Sequence, residues 1–323
     1  MKKMMKLTAL ILTAAMAMTG CGGSGDSADA EGKYKVGIVQ QLEHPALDAA
    51  SLGFQEKLTE LTDGNVVFDY QNAQGEQTNC TTIATKFVSD GVDLIMANAT
   101  TALQSAAAAT ADIPIVGTSV TDYVTAGVVE SNEAPGRNVT GASDLAPIDE
   151  QIAMLMELIP DVQKVGILYC SAEPNSIYQS ELAQAELDKA SVAWAEYTAA
   201  DSNEVQSVVT KAISECDVLY VPTDNTMANN TEIIKNVAVP AGVPVIAGEE
   251  GICSGCGVAT LSISYYDLGA KAAEMAYEIL VNGASPAEMP IAYVSEGITE
   301  KYNAEIAETL HIAIPEGMVA IGE

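Results

Sequence analysis

Few side chains in these 323 residues are suited to acid–base or nucleophilic chemistry. There is one arginine, Arg137, and two histidines, His44 and His311. No G-x-S-x-G nucleophile turn occurs. Chemistry of another kind is offered by short polar segments that follow apolar runs and open helix-like ones. The stretch 92–104, VDLIMANATTALQ, shows the pattern most clearly. Val92 to Ala97 reads as a buried strand, Asn98 to Thr101 as a polar turn, and the remainder as an alanine-rich helix running to about Ala111. Thr100 and Thr101 at a helix start present hydroxyls and free backbone N–H groups, a setting suited to a small carboxylate. The simpler alternative is that both threonines only cap the helix. With a single arginine in the chain, a ligand carboxylate would have to rely on hydroxyls and helix N-termini.

The same logic selects further candidates. Gln41 and His44 lie in a loop after the first apolar run. Thr118, Ser119 and Asp122 follow another run, and either meet a ligand or satisfy their own turn. In the second half Glu173, Asn175 and Ser176 follow a run, as do Asp224 and Asn225, where an Asx turn is the alternative. A ligand ammonium needs an acid, and Asp224 is favoured, with Glu249 next. Of Tyr265 and Tyr266, one is expected to pack at a crossover and the other, taken as Tyr266, to wall the pocket. No catalytic residue, metal ligand or cofactor is expected. Cys253-Ser254-Gly255-Cys256 is a CxxC, but it has no second pair and no neighbouring histidine, so zinc and thiol-redox readings are weak. Small buried cysteines, with at most one local disulfide, are the simpler account.

These loops must be held by a scaffold. Lys35 to Gln40 reads as a strand. Leu47, Ala50, Phe54, Leu58 and Leu61 recur at helical spacing, which predicts a helix over 46–61. Alternation of apolar strands with helices continues to about Gly117. Residues 132–147 lack periodicity, and part of them reads as a crossover between lobes; residues 248–257 read as a loop. The alternation restarts at Glu150, continues to Ser262, and ends with a helix over 265–280, a short strand near 291–294 and a helix near 299–310. Continuous apolar strands between helices imply parallel sheets covered on both faces. Ligands of such sheets sit beyond the C-terminal strand ends. The predicted fold class is α/β: two doubly wound, Rossmann-like parallel-sheet lobes, joined by crossover hinge strands, with the ligand in the cleft between them. The lobes are expected over 33–141 plus 263–285 and over 142–262 plus 286–323.

Composition narrows the function. Acids outnumber bases 44 to 14, for a net charge of −30. Losing Lys2, Lys3 and Lys6 with a leader would leave 11 bases against 44 acids, a net of −33. Such a surface repels phosphate backbones and anionic lipid, which excludes nucleic acid as a partner. Met1 to Lys6 is basic and Leu7 to Met18 is an apolar run of twelve residues, too short to span a bilayer and suited to a signal-peptide core. Met18-Thr19-Gly20-Cys21 resembles a lipobox, with Met where Leu is usual. The resemblance implies cleavage after residue 20 and lipid, palmitate included, on Cys21. Residues 21–32 read as a flexible tether. The protein is therefore expected at the extracytoplasmic face of the cell membrane, lipid-anchored.

Several segments carry a wider resemblance: HPALDAASLGF (44–54), PIVGTSVTDYVTAGVV (114–129), PGRNVTGASD (135–144), KVGILYCSAEPNS (164–176), VPTDNT (221–226) and YYDLG (265–269). In this order they resemble the substrate-binding lipoproteins of ABC importers, of the periplasmic binding protein type I fold and the tryptophan/tyrosine-type subfamily. The resemblance implies a receptor that closes on a small zwitterionic solute, an aromatic or other apolar amino acid, and hands it to an ABC permease whose ATPase is cytoplasmic. Alternatives are the same fold binding a nucleoside or other small solute, service to a sensor, or an exported thiol or hydrolytic enzyme.

Overall fold

Strand residues such as Val36, Ile38 and Val39 alternate between two core layers, and all three are buried, so each strand must be covered on both faces. The structure, a computed structural model, describes residues 33–294 and 298–322. The expected leader, tether and Cys21 lie outside the described residues.

The first lobe contains β1 (Tyr34–Gln40), α1 (Pro45–Leu61), β2 (Val66–Asn72), α2 (Gln77–Asp90), β3 (Leu94–Asn98), α3 (Thr100–Ala109), β4 (Ile115–Val120) and β5 (Val139–Ser143). The second contains α4 (Ile148–Leu158), β6 (Lys164–Cys170), α5 (Pro174–Ala190), β7 (Ala193–Ala199), α6 (Val205–Ile213), β8 (Val218–Val221), α7 (Asn225–Ala228), α8 (Thr231–Ala238), β9 (Val245–Ala247), α9 (Glu250–Cys256) and β10 (Ala259–Ser262). The chain then returns with α10 (Tyr265–Leu280) and β11 (Ala292–Tyr293). It ends with β12 (Thr299–Tyr302), α11 (Ala304–Thr309) and β13 (Val319–Ala320). Strand order is β2-β1-β3-β4-β5-β11 in one sheet and β7-β6-β8-β9-β10-β12-β13 in the other. Pairing is parallel except between β10 and β12. The two α/β lobes and their parallel sheets are as expected.

Four details differ from the sequence expectation. Residues 139–143 form a strand, not a bare crossover. Its composition, VTGAS, has no bulky run to announce it, and Gly141 lets it lie against β4: a Cβ there would sit 2.2 Å from the Gly117 carbonyl oxygen. Residues 250–256 form a helix despite two glycines, because Gly255 lets it press on Thr231. Residues 299–302 form a strand antiparallel to β10, and only 304–309 are helical. Finally, β5 lies wholly in the first sheet and β11 pairs with it, so the boundary expected at 141/142 and the assignment of all of 286–323 to the second lobe are both displaced.

α10 crosses α1 at very short range. A Cβ at Gly53 would stand 2.1 Å from the Tyr266 carbonyl oxygen, and one at Gly269 would stand 1.9 Å from the Ala50 carbonyl oxygen. Both glycines serve this approach, which anchors the start of α10 beside the start of α1.

Candidate functional site

The C-terminal ends of β1, β3 and β4 point at those of β6, β8 and β9, and the polar loops there are unusually buried. In the first lobe Gln40 and Asn98 tie the β1–α1 loop down. Asn98 Nδ2 donates to the Leu47 carbonyl (2.8 Å) and Ser51 Oγ (3.0 Å), and Ser51 Oγ donates to Gln40 Oε1 (2.6 Å). Gln41 Oε1 accepts from Thr101 N (3.3 Å). Two non-glycine residues at strand ends adopt costly backbone: Ala99 has φ 89° and ψ 161°, and Ser119 has φ 56°. Strain of this kind costs about 1–3 kcal/mol per residue and collects where a site needs a fixed orientation.

The hydroxyls beside these residues are unspent. Thr100 Oγ1, Thr118 Oγ1, Ser119 Oγ and His44 Nδ1 are buried and have no protein partner. Thr100 does not cap α3: the N-cap position is Ala99, with no side-chain capping bond. The capping alternative raised from sequence therefore does not account for this hydroxyl. A buried polar atom left unpaired costs about 1–3 kcal/mol, so the three hydroxyls and the ring nitrogen call for a partner outside the chain, a water or a ligand group.

The second lobe supplies acids. Glu173 is buried and heavily engaged. It accepts from Asn225 N (3.0 Å), Asn225 Nδ2 (2.7 Å), Thr226 N (2.8 Å) and Thr226 Oγ1 (2.7 Å). It organises α7 and has little left for a ligand. Asp224 caps α7 through Met227 N (2.7 Å) and also accepts from Cys170 N (2.6 Å). Burial, then the nearby Glu173 carboxylate, push its carboxyl well above the usual range. Glu249 caps α9 through Gly251 N and Ile252 N, and burial pushes it up to about 7. Asn175 Nδ2 donates to the Thr223 carbonyl (3.2 Å), and Ser176 is fully buried beside it.

Between the lobes lies a narrow cavity of about 10 Å³, room for about one water, so the lobes are shut tightly on one another and must part to admit a ligand. The first lobe lines it with His44, Leu47 and Ser119. The second contributes Asn175, Thr223, Asp224, Asn225, Ala228 and Glu249, and the hinge contributes Asp144 and Tyr265. Gln41, Thr101 and Glu173 line a larger polar groove at one mouth. Five expected contacts line neither: Thr100, Thr118 and Ser176 are buried behind the lining, and Asp122 and Tyr266 lie elsewhere. Asp122 holds its own turn, accepting from Thr125 N (2.6 Å), and does not line the cavity. Tyr266 is 40% exposed and donates to Glu56 (2.7 Å). Tyr265 instead turns inward, because neighbours on a helix point about 100° apart.

Sequence reasoning missed Asp144. It is fully buried at the end of β5, where it accepts from Tyr265 OH (3.0 Å) and Thr121 Oγ1 (3.0 Å). Burial raises it to about 6. The signal was present in the polar end of GASD, but the strand before it was not recognised. Gln179 was missed as well. It donates to Thr121 Oγ1 (3.2 Å) across the lobes, and His44 Nε2 meets Asn225 Oδ1 (3.1 Å). These contacts join the lobes in a closed arrangement.

Among the described residues the thiols are held in their unreactive form. Cys80, Cys170, Cys216, Cys253 and Cys256 are all buried and free. Burial pushes Cys80 up to about 11 and Cys253 well above its ordinary value. Thiols held in the protonated form are poor nucleophiles.

Known proteins place this geometry. A "Tyrosine-binding protein" of Clostridioides difficile is 38% identical over 310 residues, covering 92% of this chain and 90% of that protein. A Streptococcus pneumonia ABC domain in complex with L-Trp is 33% identical, covers 90% of this chain and 100% of its own, and superposes with a TM-score of 0.86. A ligand-free, open substrate binding protein with adhesive properties from Clostridium difficile is 37% identical, with 89% and 99% covered, yet superposes at only 0.69. The better fit to the L-Trp complex, at lower identity, agrees with lobes that are closed here. Residues 35–322 match the family described as ABC transporter substrate binding protein, and the chain belongs to that family.

Proposed function

We propose that this substrate-binding protein captures one aromatic or other apolar amino acid between its lobes and delivers it to the membrane subunits of an ABC importer. The observation that carries the ligand class is the division of the site. In the cavity the unpartnered Ser119 hydroxyl of the first lobe faces the buried second-lobe carboxylates Asp224 and Glu249, with Asp144 at its side after β5. Among the described residues no lysine or arginine lines the cavity. A zwitterion fits this division. Its carboxylate lies toward Ser119, with Thr100 and Thr118 behind, and its ammonium lies toward Asp144, Asp224 and Glu249. The relatives named for tyrosine and for L-Trp support the same class. The ligand needs contacts from both lobes, so binding favours the closed state, and the closed state is the one presented to the permease.

We also propose attachment through lipid on Cys21 at the extracytoplasmic face. The basic start, the short apolar run and the TGC junction support it. Among the described residues no helix is long and apolar enough to cross a membrane.

Thermal unfolding against L-tyrosine, L-tryptophan, L-phenylalanine, L-leucine and a set of nucleosides tests the ligand class. A true ligand at 100 times its Kd adds ~2.7 kcal/mol of stability. A shift with nucleosides and none with amino acids refutes it. For the anchor, palmitate labelling of intact cells should be lost in Cys21→Ser.

A further inference from the structure

His44 occupies the N-cap position of α1 but makes no capping bond with its side chain. Its ring crosses to the other lobe, where Nε2 meets Asn225 Oδ1 at 3.1 Å. The Asn225 amide is oriented independently, because its Nδ2 donates to Glu173 Oε2 at 2.7 Å. Its Oδ1 therefore faces His44 as an acceptor, and His44 Nε2 must carry the proton. Burial holds the ring below its ordinary value of 6.5, so it is neutral at pH 7. A neutral ring with its proton on Nε2 has a lone pair on Nδ1. That atom is buried and has no protein partner, on a residue that lines the cavity and is 7% exposed.

We propose that His44 is a specificity-determining residue: closure locks it as the Nε2–H tautomer against Asn225, and its Nδ1 accepts a hydrogen bond from an N–H or O–H of the bound ligand. The inference rests on the amino-acid reading above and deepens it. It makes discrimination conditional on closure, because the residue that sets the tautomer belongs to the opposite lobe. A ligand lacking the matching donor leaves Nδ1 unpaired, a larger penalty than the loss of an ordinary surface bond. It also explains why a histidine stands where a serine or aspartate would be the usual helix cap.

The test uses the two amide isosteres of imidazole. His44→Gln puts an N–H near the Nε2 position and retains the bond to Asn225, but has no acceptor at the Nδ1 position. His44→Asn keeps an amide near Nδ1 but does not reach Asn225. Calorimetric titration of the wild type and both variants uses L-tyrosine and L-tryptophan, followed by the tyrosine analogues L-phenylalanine and 3-(4-hydroxyphenyl)propanoate. These two lack the phenol and the amine respectively. His44→Gln is expected to weaken amino-acid binding by roughly ten- to a hundredfold. It should also abolish the wild-type preference for tyrosine over one of the two analogues, the loss of coupling that a double-mutant cycle reads. His44→Asn should retain that preference. With the wild type loaded, the 15N spectrum should show a pyridine-type nitrogen at His44 Nδ1 and a pyrrole-type nitrogen at Nε2. Equal affinity and equal preference in His44→Gln, or a protonated Nδ1, overturns the assignment while leaving the receptor reading intact. If the wild type binds neither amino acid, the receptor reading fails instead, and the same comparison made with adenosine decides the role of His44.

Discussion

Asp144→Asn isolates what burial does to one carboxylate. The residue is 4% exposed, and its two hydrogen bonds come from neutral hydroxyls, Tyr265 and Thr121. Its carboxyl rises from an ordinary 3.8 to about 6. The folded chain therefore holds a proton that the unfolded chain has released between these values. Stability from this group is complete below pH 3.8 and is lost as pH rises through about 6. The loss amounts to about 3 kcal/mol, an order-of-magnitude figure. Asparagine cannot ionise, so it avoids this loss. It accepts from only one of the two hydroxyls with its oxygen, at a cost of about 1 kcal/mol. The variant should therefore be about 1 kcal/mol less stable at pH 4 and about 2 kcal/mol more stable at pH 8. Glu249, raised mainly by burial to about 7, owes a minor part of that rise to the Asp144 charge, so only its larger, burial-driven part cancels in the difference. Urea unfolding of both chains at the two pH values, without ligand and with slopes checked for equality, measures it. A destabilisation of the same size at pH 4 and pH 8 would show that the buried carboxylate is not strained, and the reasoning would fall.

Thr100→Val removes an unpartnered hydroxyl at nearly constant volume. The free chain should keep or gain up to about 1 kcal/mol, while tyrosine affinity drops about tenfold; unchanged affinity by calorimetry removes Thr100 from the site. Gly141→Ala should cost more than about 3 kcal/mol in urea unfolding, since its Cβ would meet Gly117 O and Tyr123 OH at 2.2 and 2.3 Å. Cys80, Cys170, Cys216, Cys253 and Cys256 should react with a thiol reagent only at the rate of unfolding, because all five are buried; fast labelling of Cys253 or Cys256 contradicts this.

The scaffold was legible because parallel strands covered on both faces need apolar centres, and β1, β3, β6 and β8 have them, while β4 turns polar after Ile115 and Val116. Their polar ends therefore marked the cleft without any structure. His44, Ser119, Asn175, Asp224, Asn225 and Glu249 meet around one cavity. What stayed hidden depends on small residues. β5 consists of Val139, Thr140, Gly141, Ala142 and Ser143, which fit a close sheet contact but lack the bulk that marks a strand, so Asp144 had no apparent position. α9 holds Gly251 and Gly255, which read as a loop until the pressure of Thr231 explains one of them. Tyr265 and Tyr266 are identical in type. Only the close α1–α10 crossing decides which faces inward.

The closed lobes set the energetic terms of recognition. Four polar atoms without protein partners, His44 Nδ1, Thr100 Oγ1, Thr118 Oγ1 and Ser119 Oγ, cost about 1–3 kcal/mol each when buried. Their sum is comparable with the whole stability of an ordinary domain, about 5–15 kcal/mol. The two side-chain bonds across the cleft, His44–Asn225 and Gln179–Thr121, return only about 0.5–1.5 kcal/mol each. Protein contacts of this kind cannot by themselves hold the lobes together over such a site. Under the proposed function closure is the work of a ligand that satisfies both sides at once, acceptors toward the hydroxyls and donors toward His44 and the carboxylates. A compound satisfying one lobe alone can occupy the open cleft but does not shift the equilibrium. On the proposed function, selectivity is a property of closing rather than of first contact, decided by the groups that meet across the cleft, His44 and Asn225 among them.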